Sequence, residues 1–265
     1  MTVQDHDSPT EITFLSKIHR FSHFLYVPLH HYTQHRVLKT LVGLKMNENN
    51  QKILKMDALK KDFASKLLEI KAIKLQPTQP FTWASGWKSP FYCDNRKTLS
   101  YPEIRNFVKT EIVHNILAHF PDVEVIAGVA TAGVPQASIV ADALHLPLVY
   151  VRSKPKDHGL ENLIEGELEA GKKVVVIEDL VSTGGSSLKA CEAIRKAGGE
   201  VVGMVAAYTY GFPVAEQAFK EANVPLVTLT DYEHVVEQAL ATGYIKDSDT
   251  ELLDEWRKNP SQWMQ

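Results

Sequence analysis

From Met56 onward the apolar residues Ala58, Phe63, Ala64, Leu67, Leu68 and Ile70 fall at helical spacing, with lysines on the opposite face. That pattern predicts a helix closed off by Pro77 and Pro80. Residues 81–99 are polar and aromatic without a clear period. A second helix is expected over 101–119, with Pro102 in its first turn. From 123 the pattern becomes rhythmic. Short apolar runs predict strands at 123–130, 147–151, 172–177, 200–208 and 225–230. Helical stretches predict helices at 136–144, 187–196 and 213–221. Gly133 and Pro135 turn the first of these strands into its helix, and Gly198 and Gly199 cap the helix over 187–196. Residues 153–169 are polar, contain glycine and look like a mobile loop. The end of the chain looks helical, with Leu252 and Trp256 one turn apart. Strands alternating with helices mean a mostly parallel central sheet with helices on both faces, an α/β fold. In such sheets ligands bind outside the carboxyl ends of the strands. The polar segments 131–135, 152–159 and 178–187 all follow strands, so they converge on one sheet edge.

Composition narrows the class. The chain has 265 residues, 44% of them hydrophobic, enough for one sizeable core plus appendages. Its net charge of −3 gives no general attraction to nucleic acid or anionic membrane. The two cysteines, Cys93 and Cys191, are far apart, which fits a reducing cytoplasm and no disulfide framework. No apolar run approaches membrane-spanning length, and the N-terminus does not read as a secretory leader. Residues 1–50 hold six of the eleven histidines: His6, His19, His23, His30, His31 and His35. A metal-binding or regulatory segment is one reading, since His30, His31 and His35 could share a helical face. No cysteine or dense acidic partner completes such a site. Residues 1–55 are therefore read as a poorly ordered extension, or as a misplaced start with Met46 or Met56 as the true beginning.

Three stretches carry chemistry. The first is VVVIEDLVSTGGSS over 174–187. A buried strand runs into two carboxylates, Glu178 and Asp179, expected where the strand ends. They can accept hydrogen bonds from two neighbouring sugar hydroxyls. The following small-residue loop offers backbone N–H groups, hydroxyls and a helix N-terminus to a phosphate. A diol at one end and a phosphate at the other describe a ribose 5-phosphate. The mononucleotide P-loop, the dinucleotide fingerprint and the serine-nucleophile elbow are all absent. The second stretch is YVRSKPKDHG over 150–159, where Arg152, Lys154, Lys156 and His158 place basic groups at every second position. In an extended segment they would point to one side, either as a solvated charged loop or, since the segment follows a strand on the ligand edge, as a set of cations aimed at an anionic group. The third is FTWASGWKSPFYCDNR over 81–96. It reads equally as a hydrophobic staple over a core edge or as a hood over a flat ring, with Lys88 or Arg96 pairing an anionic substituent.

The first string resembles the phosphoribosyl diphosphate (PRPP) signature of the type I phosphoribosyltransferases. With the aromatic and basic stretches at their spacing, residues 56–262 resemble the orotate phosphoribosyltransferase family. The resemblance implies a hood over 56–100, a PRPP-binding core over 101–235 and a C-terminal helical tail over 236–265. It implies transfer of a phosphoribosyl group to orotate in pyrimidine synthesis. Mg²⁺ would be carried by the diphosphate, with no direct protein ligands. A homodimer would donate Lys156 and His158 in trans. Glu178 and Asp179 would hold the ribose hydroxyls. Leu180, Val181, Ser182, Thr183, Gly184, Gly185 and Ser186 would bind PRPP, with the Ser182–Ser187 loop holding its 5-phosphate. Lys88, Arg152, Lys156 and His158 would grip PRPP, the last three as catalytic groups. Ser182, Phe91, Tyr92 and Arg96 would meet orotate, and the backbone of TAGVP (131–135) the diphosphate. Ala132 stands where some members have a lysine. Ser153 replaces a second basic residue, with Lys154 as compensation. AYTYG (207–211) lacks the arginine that some members use for orotate, which leaves Arg96 as candidate. A phosphoribosyltransferase for another base and a PRPP-sensing regulator are the alternatives. The first is opposed by the hood stretch. The second is opposed by the lack of a basic stripe in the extension. The short stretch after Thr230 leaves no room for a decarboxylase domain.

Overall fold

The computed structural model describes residues 48–83, 86–154 and 163–264. The chain divides into two compact units, Met1–Leu54 and Lys55–Gln265. The histidine-rich stretch lies outside the described residues. The first helix, α1, spans Glu48–Glu69 and so begins earlier than the apolar pattern indicates. Residues 51–56 are all exposed, as is Ala58, so this stretch carries no periodic apolar trace. Phe63, Ala64, Leu67 and Leu68 form the buried stripe.

The hood region is built from short pieces. Strand β1 (Ile73–Leu75) pairs antiparallel with β4 (Phe91–Cys93), and β2 (Phe81–Thr82) with β3 (Lys88–Ser89). A 3₁₀ turn over Asn95–Ser100 follows, begun by Asp94, whose side chain accepts from the Arg96 N–H. Helix α2 is Pro102–His119.

The main sheet has six strands: β5 Val125–Val129, β6 Leu148–Val151, β7 Ile164–Glu165, β8 Lys173–Val181, β9 Glu200–Thr209 and β10 Leu226–Asp231. Their order is β10-β9-β8-β5-β6-β7. All neighbours are parallel except β7, which runs antiparallel to β6. The intervening helices are α3 Gly133–Leu144, α4 Gly185–Lys196 and α5 Pro213–Glu221. They are followed by α6 Tyr232–Ala241 and α7 Thr250–Lys258. Alternate residues face opposite sides of a strand. Val125, Ala127, Val174 and Val176 therefore join the core formed with α4 and α5. Gly128 lies against Val134 and Ala137 of α3, on the other face. The expected α/β fold with helices on both faces is present.

Three boundaries differ from the sequence reading. Segment 153–169 contains β7, because Ile164 is an apolar residue that buries itself beside β6. Helix α4 starts at Gly185, inside the small-residue loop, not at Ser187. Most importantly, β8 does not stop at Ile177. Its pairing with β5 ends there, but β9 is long enough to carry it on to Val181.

The C-terminal residues are part of the core. The Trp256 ring is fully buried and stacks on Phe91 at 6.1 Å. Tyr210, Phe212, Tyr232 and Trp83 surround it at 5.7–6.0 Å. Arg257 closes the cluster. It donates to the carbonyls of Tyr210 (2.7 Å) and Gly211 (3.2 Å) and covers the Tyr232 ring. The segment after β9 is thus held by an arginine from α7. Removing the Trp256 ring leaves a large void shared by three parts of the chain. Trp256→Ala is expected to cost about 3–5 kcal/mol, read as a shift of the urea unfolding midpoint at constant slope.

Candidate active site

The chain passes from β5 outward to β6 and β7, then returns to β8 on the other side of β5. The carboxyl ends of β5 and β8 therefore flank a topological switch point, where neighbouring connections diverge and a crevice opens. Two structures face each other there. One is the turn from β5 into α3, where the Ala130–Thr131 peptide is cis. It lies so close to β8 that a Cβ on Gly133 would come within 2.5 Å of the Ile177 carbonyl oxygen. That approach admits only glycine. The other is the end of β8 with Glu178 and Asp179.

The two acids sit inside the strand rather than at its end, at the point where β5 stops and β9 continues. Glu178 is 5% exposed. One of its oxygens accepts from Ser187 Oγ at 2.9 Å, the other from the Asp179 N–H at 3.0 Å. Burial, then the adjacent Asp179 charge, pushes Glu178 from 4.5 up to about 8. Burial also raises Asp179, against the hydrogen bonds that favour its charge. Near neutral pH the pair therefore retains a proton. A partner bringing hydroxyl donors or a cation would relieve that cost.

Beyond the acids, Ser182 is half-buried and Thr183 exposed. Gly184 takes a left-handed conformation (φ 83°) that lets the chain turn directly into α4. No side chain caps that helix. The N–H groups of its first turn have no partner within the helix, and Gly185 and Ser186 there are exposed. That is a ready anion site beside a polar diol-binding pair.

The remaining sequence-derived candidates fall into distinct places. Tyr92 is exposed and tilts against Phe81 at 5.5 Å. Phe91 is a correction: alternation along β4 turns its ring inward, where Tyr208, Tyr210, Tyr232 and Trp256 enclose it completely. It supports the hood from behind. The Val181 side chain belongs to the core, and its carbonyl accepts from the Tyr210 N–H and Thr209 Oγ1. Leu180 is half-buried against β9. Lys88 donates to Thr82 Oγ1 at 2.8 Å. Arg96 is largely exposed and bonded to Asp94 at 2.6 Å, and its charge reaches Asp179. Arg152 meets Glu165 of β7 at 3.4 Å. Lys156 and His158 lie outside the described residues. Ser187, which the sequence reading placed in the phosphate loop, is 1% exposed, and its hydroxyl goes to Glu178. One side chain with no role in the sequence reading enters the site: Asn95 of the 3₁₀ turn donates to the Asp179 carbonyl at 2.6 Å. Nothing in the local pattern signals it.

Among the described residues, no group of three or more His, Cys, Asp or Glu side chains could hold a metal. The donor set here is two carboxylates. It suits a hard cation that arrives with most of its oxygens supplied by water or substrate phosphates. No described helix is long and apolar enough to cross a membrane.

Comparison with known proteins adds to this geometry. Residues 104–239 match the phosphoribosyl transferase domain model. The chain is 71% identical over 208 residues to an orotate phosphoribosyltransferase of Bacteroides fragilis, covering 78% of this chain and 98% of that relative. It is 67% identical over 208 residues to one from Porphyromonas gingivalis, covering 78% and 99%. Among solved structures, the orotate phosphoribosyltransferase from Aeropyrum pernix matches with a TM-score of 0.61 and 27% identity. That match covers 69% of this chain and 99% of that one.

The buried acid pair has a measurable cost. A carboxyl whose value is raised on folding favours the folded state while protonated, so stability falls as pH climbs from about 4.5 to about 8. Glu178→Gln keeps an oxygen for the Asp179 N–H and removes the titration. Its melting temperature is expected to exceed that of the parent protein by a margin that widens between pH 4.5 and 8 and then levels off. Scanning calorimetry across that range checks it; a margin independent of pH would be the contrary result.

Proposed function

The chain belongs to the orotate phosphoribosyltransferases, and from that membership we infer that it transfers the 5-phosphoribosyl group of PRPP to orotate, giving orotidine 5′-phosphate and diphosphate. The observation that carries the reading is the acid pair at the switch point with an uncapped helix N-terminus next to it. Glu178 and Asp179 accept from the two ribose hydroxyls. The first turn of α4, with Ser182, Thr183 and Ser186, receives the 5-phosphate. The site thereby fixes the pentose at both ends and leaves its anomeric carbon toward the hood.

Departure of the diphosphate leads the reaction and leaves an oxocarbenium-like ring, so no protein nucleophile is required. Positioning and charge neutralisation supply the catalysis. Arg152, Lys156 and His158 act on the leaving group, with the backbone of 131–135 against it. Mg²⁺ bound with the diphosphate adds positive charge to that group. Orotate lies under the hood near Tyr92 and Ser182. Arg96 takes its carboxylate, helped by its exposure and by the absence of an arginine in 207–211. We assign the enzyme to the cytoplasm as a homodimer whose basic loop serves the partner's site.

Product formation from PRPP and Mg²⁺ with orotate, uracil, adenine or hypoxanthine tests the reaction directly. Turnover with orotate and none with the purines is expected. Preference for a purine would replace the base assignment. A second experiment addresses the loop. Lys156→Ala and Asp179→Asn are each expected to lower turnover by two or more orders of magnitude, roughly the loss for a group acting in the transition state. Mixing the two inactive variants restores activity when the loop is donated in trans. No recovery after verified subunit exchange would place Lys156 in its own subunit's site.

A further inference from the structure

Beyond Ile177, β8 keeps β9 as a neighbour but has lost β5. The backbone that carries the acid pair is therefore supported by strand pairing on one side. On this stretch, the Asp179 carbonyl is bound by a side chain. Asn95 Nδ2 donates to it at 2.6 Å, joining positions 84 apart in the sequence. Asn95 is 4% exposed and is itself held. Its carbonyl accepts from Thr98 Oγ1 at 2.7 Å, and its Oδ1 accepts from Cys93 Sγ at 3.4 Å. Thr98 Oγ1 in turn accepts from Gln136 Nε2 at 3.3 Å. Thr98 is 1% exposed and Gln136 4%. Gln136 lies in the first turns of α3, directly after the 131–135 turn. A buried chain of hydrogen bonds thus runs from one wall of the crevice, through the 3₁₀ turn, to the other.

We propose that Asn95 is a positioning residue for PRPP, acting as a substitute strand partner that fixes the Asp179 peptide so that the acid pair presents its oxygens to the ribose. The inference rests on the reading of Glu178 and Asp179 as the ribose-binding pair. An amide suits the task because Nδ2 supplies the donor that a strand neighbour would have given, while Oδ1 is occupied elsewhere. A carboxylate there would set a negative oxygen against the Asp179 carbonyl and add a third charge beside two acids that already keep a proton. The requirement is for a donor, not for a side chain of that volume. This separates a positioning role from simple packing between hood and sheet.

The test compares Asn95→Ala, Asn95→Asp, Thr98→Val and Asp179→Asn with the parent protein. Each is read by KM for PRPP, KM for orotate, kcat and melting temperature. Asn95→Ala is expected to raise KM for PRPP about five- to tenfold, the scale of one lost buried hydrogen bond, with KM for orotate within about twofold. Asn95→Asp, though nearly isosteric, is expected to be worse than alanine. Thr98→Val, which leaves the amide but frees its backbone anchor, should shift the same constant by a smaller factor. It also carries the test if Asn95→Ala does not fold. A lowered melting temperature with both KM values unmoved, or with both moved alike, overturns the proposal. So does an aspartate variant closer to the parent than the alanine variant. If Asp179→Asn raises KM for PRPP and the Asn95 and Thr98 variants do not, this inference alone is lost. If Asp179→Asn also leaves that constant unchanged, the ribose-binding role of the acid pair fails with it.

Discussion

The structure depends on keeping two carboxylates together, away from water, where one strand loses a neighbour. Burying Glu178 beside Asp179 opposes folding on its own account. The surroundings make it tolerable through a serine hydroxyl from α4, the backbone N–H of Asp179 and a retained proton. Everything else in the core unit serves that arrangement. Parallel strands put the pair on the sheet's carboxyl edge. The order β5–β8 opens the crevice. Gly133 lets the opposing turn come close enough to share it.

A polar site of this kind needs a rigid frame, because small displacements cost much in transition-state binding. The frame comes from two cores. The sheet interior supplies one, through valines and isoleucines on both faces. The other is aromatic and lies where hood, sheet and C-terminal helix meet around Trp256. Asn95 and Arg257 stitch these bodies together, Asn95 by donating to a carbonyl inside β8 where β5 no longer pairs, and Arg257 by donating to two carbonyls just beyond the end of β9. The binding edge is thus braced by side chains where strand pairing runs out.

How much of this could be read from the sequence depended on whether a feature was periodic. The sheet strands and the helices between them follow local apolar patterns, so their order and the parallel topology were legible. The acid pair and its glycine loop were legible because their chemistry is contiguous. What escaped was set by distant partners. Strand β8 extends past Ile177 because β9 reaches beyond it, which no window around 178 reveals. Phe91 reads as a ligand-facing ring by motif, yet the parity of a three-residue strand decides that it turns inward and Tyr92 turns out. Strand β7 is too short to carry a period. Asn95 matters only through a carbonyl far along the chain. Trp256 reads as one residue of an appended helix until its neighbours are known.

That last feature has a bearing on biogenesis. During translation the aromatic faces of Trp83, Phe91, Tyr210 and Tyr232 emerge from the ribosome well before the indole that covers them. Until α7 has been synthesised and docks, they form an adhesive surface on an otherwise foldable nascent chain. The interval is set by the ribosome's pace over the remaining codons, and a holdase acting in that window would find its target there.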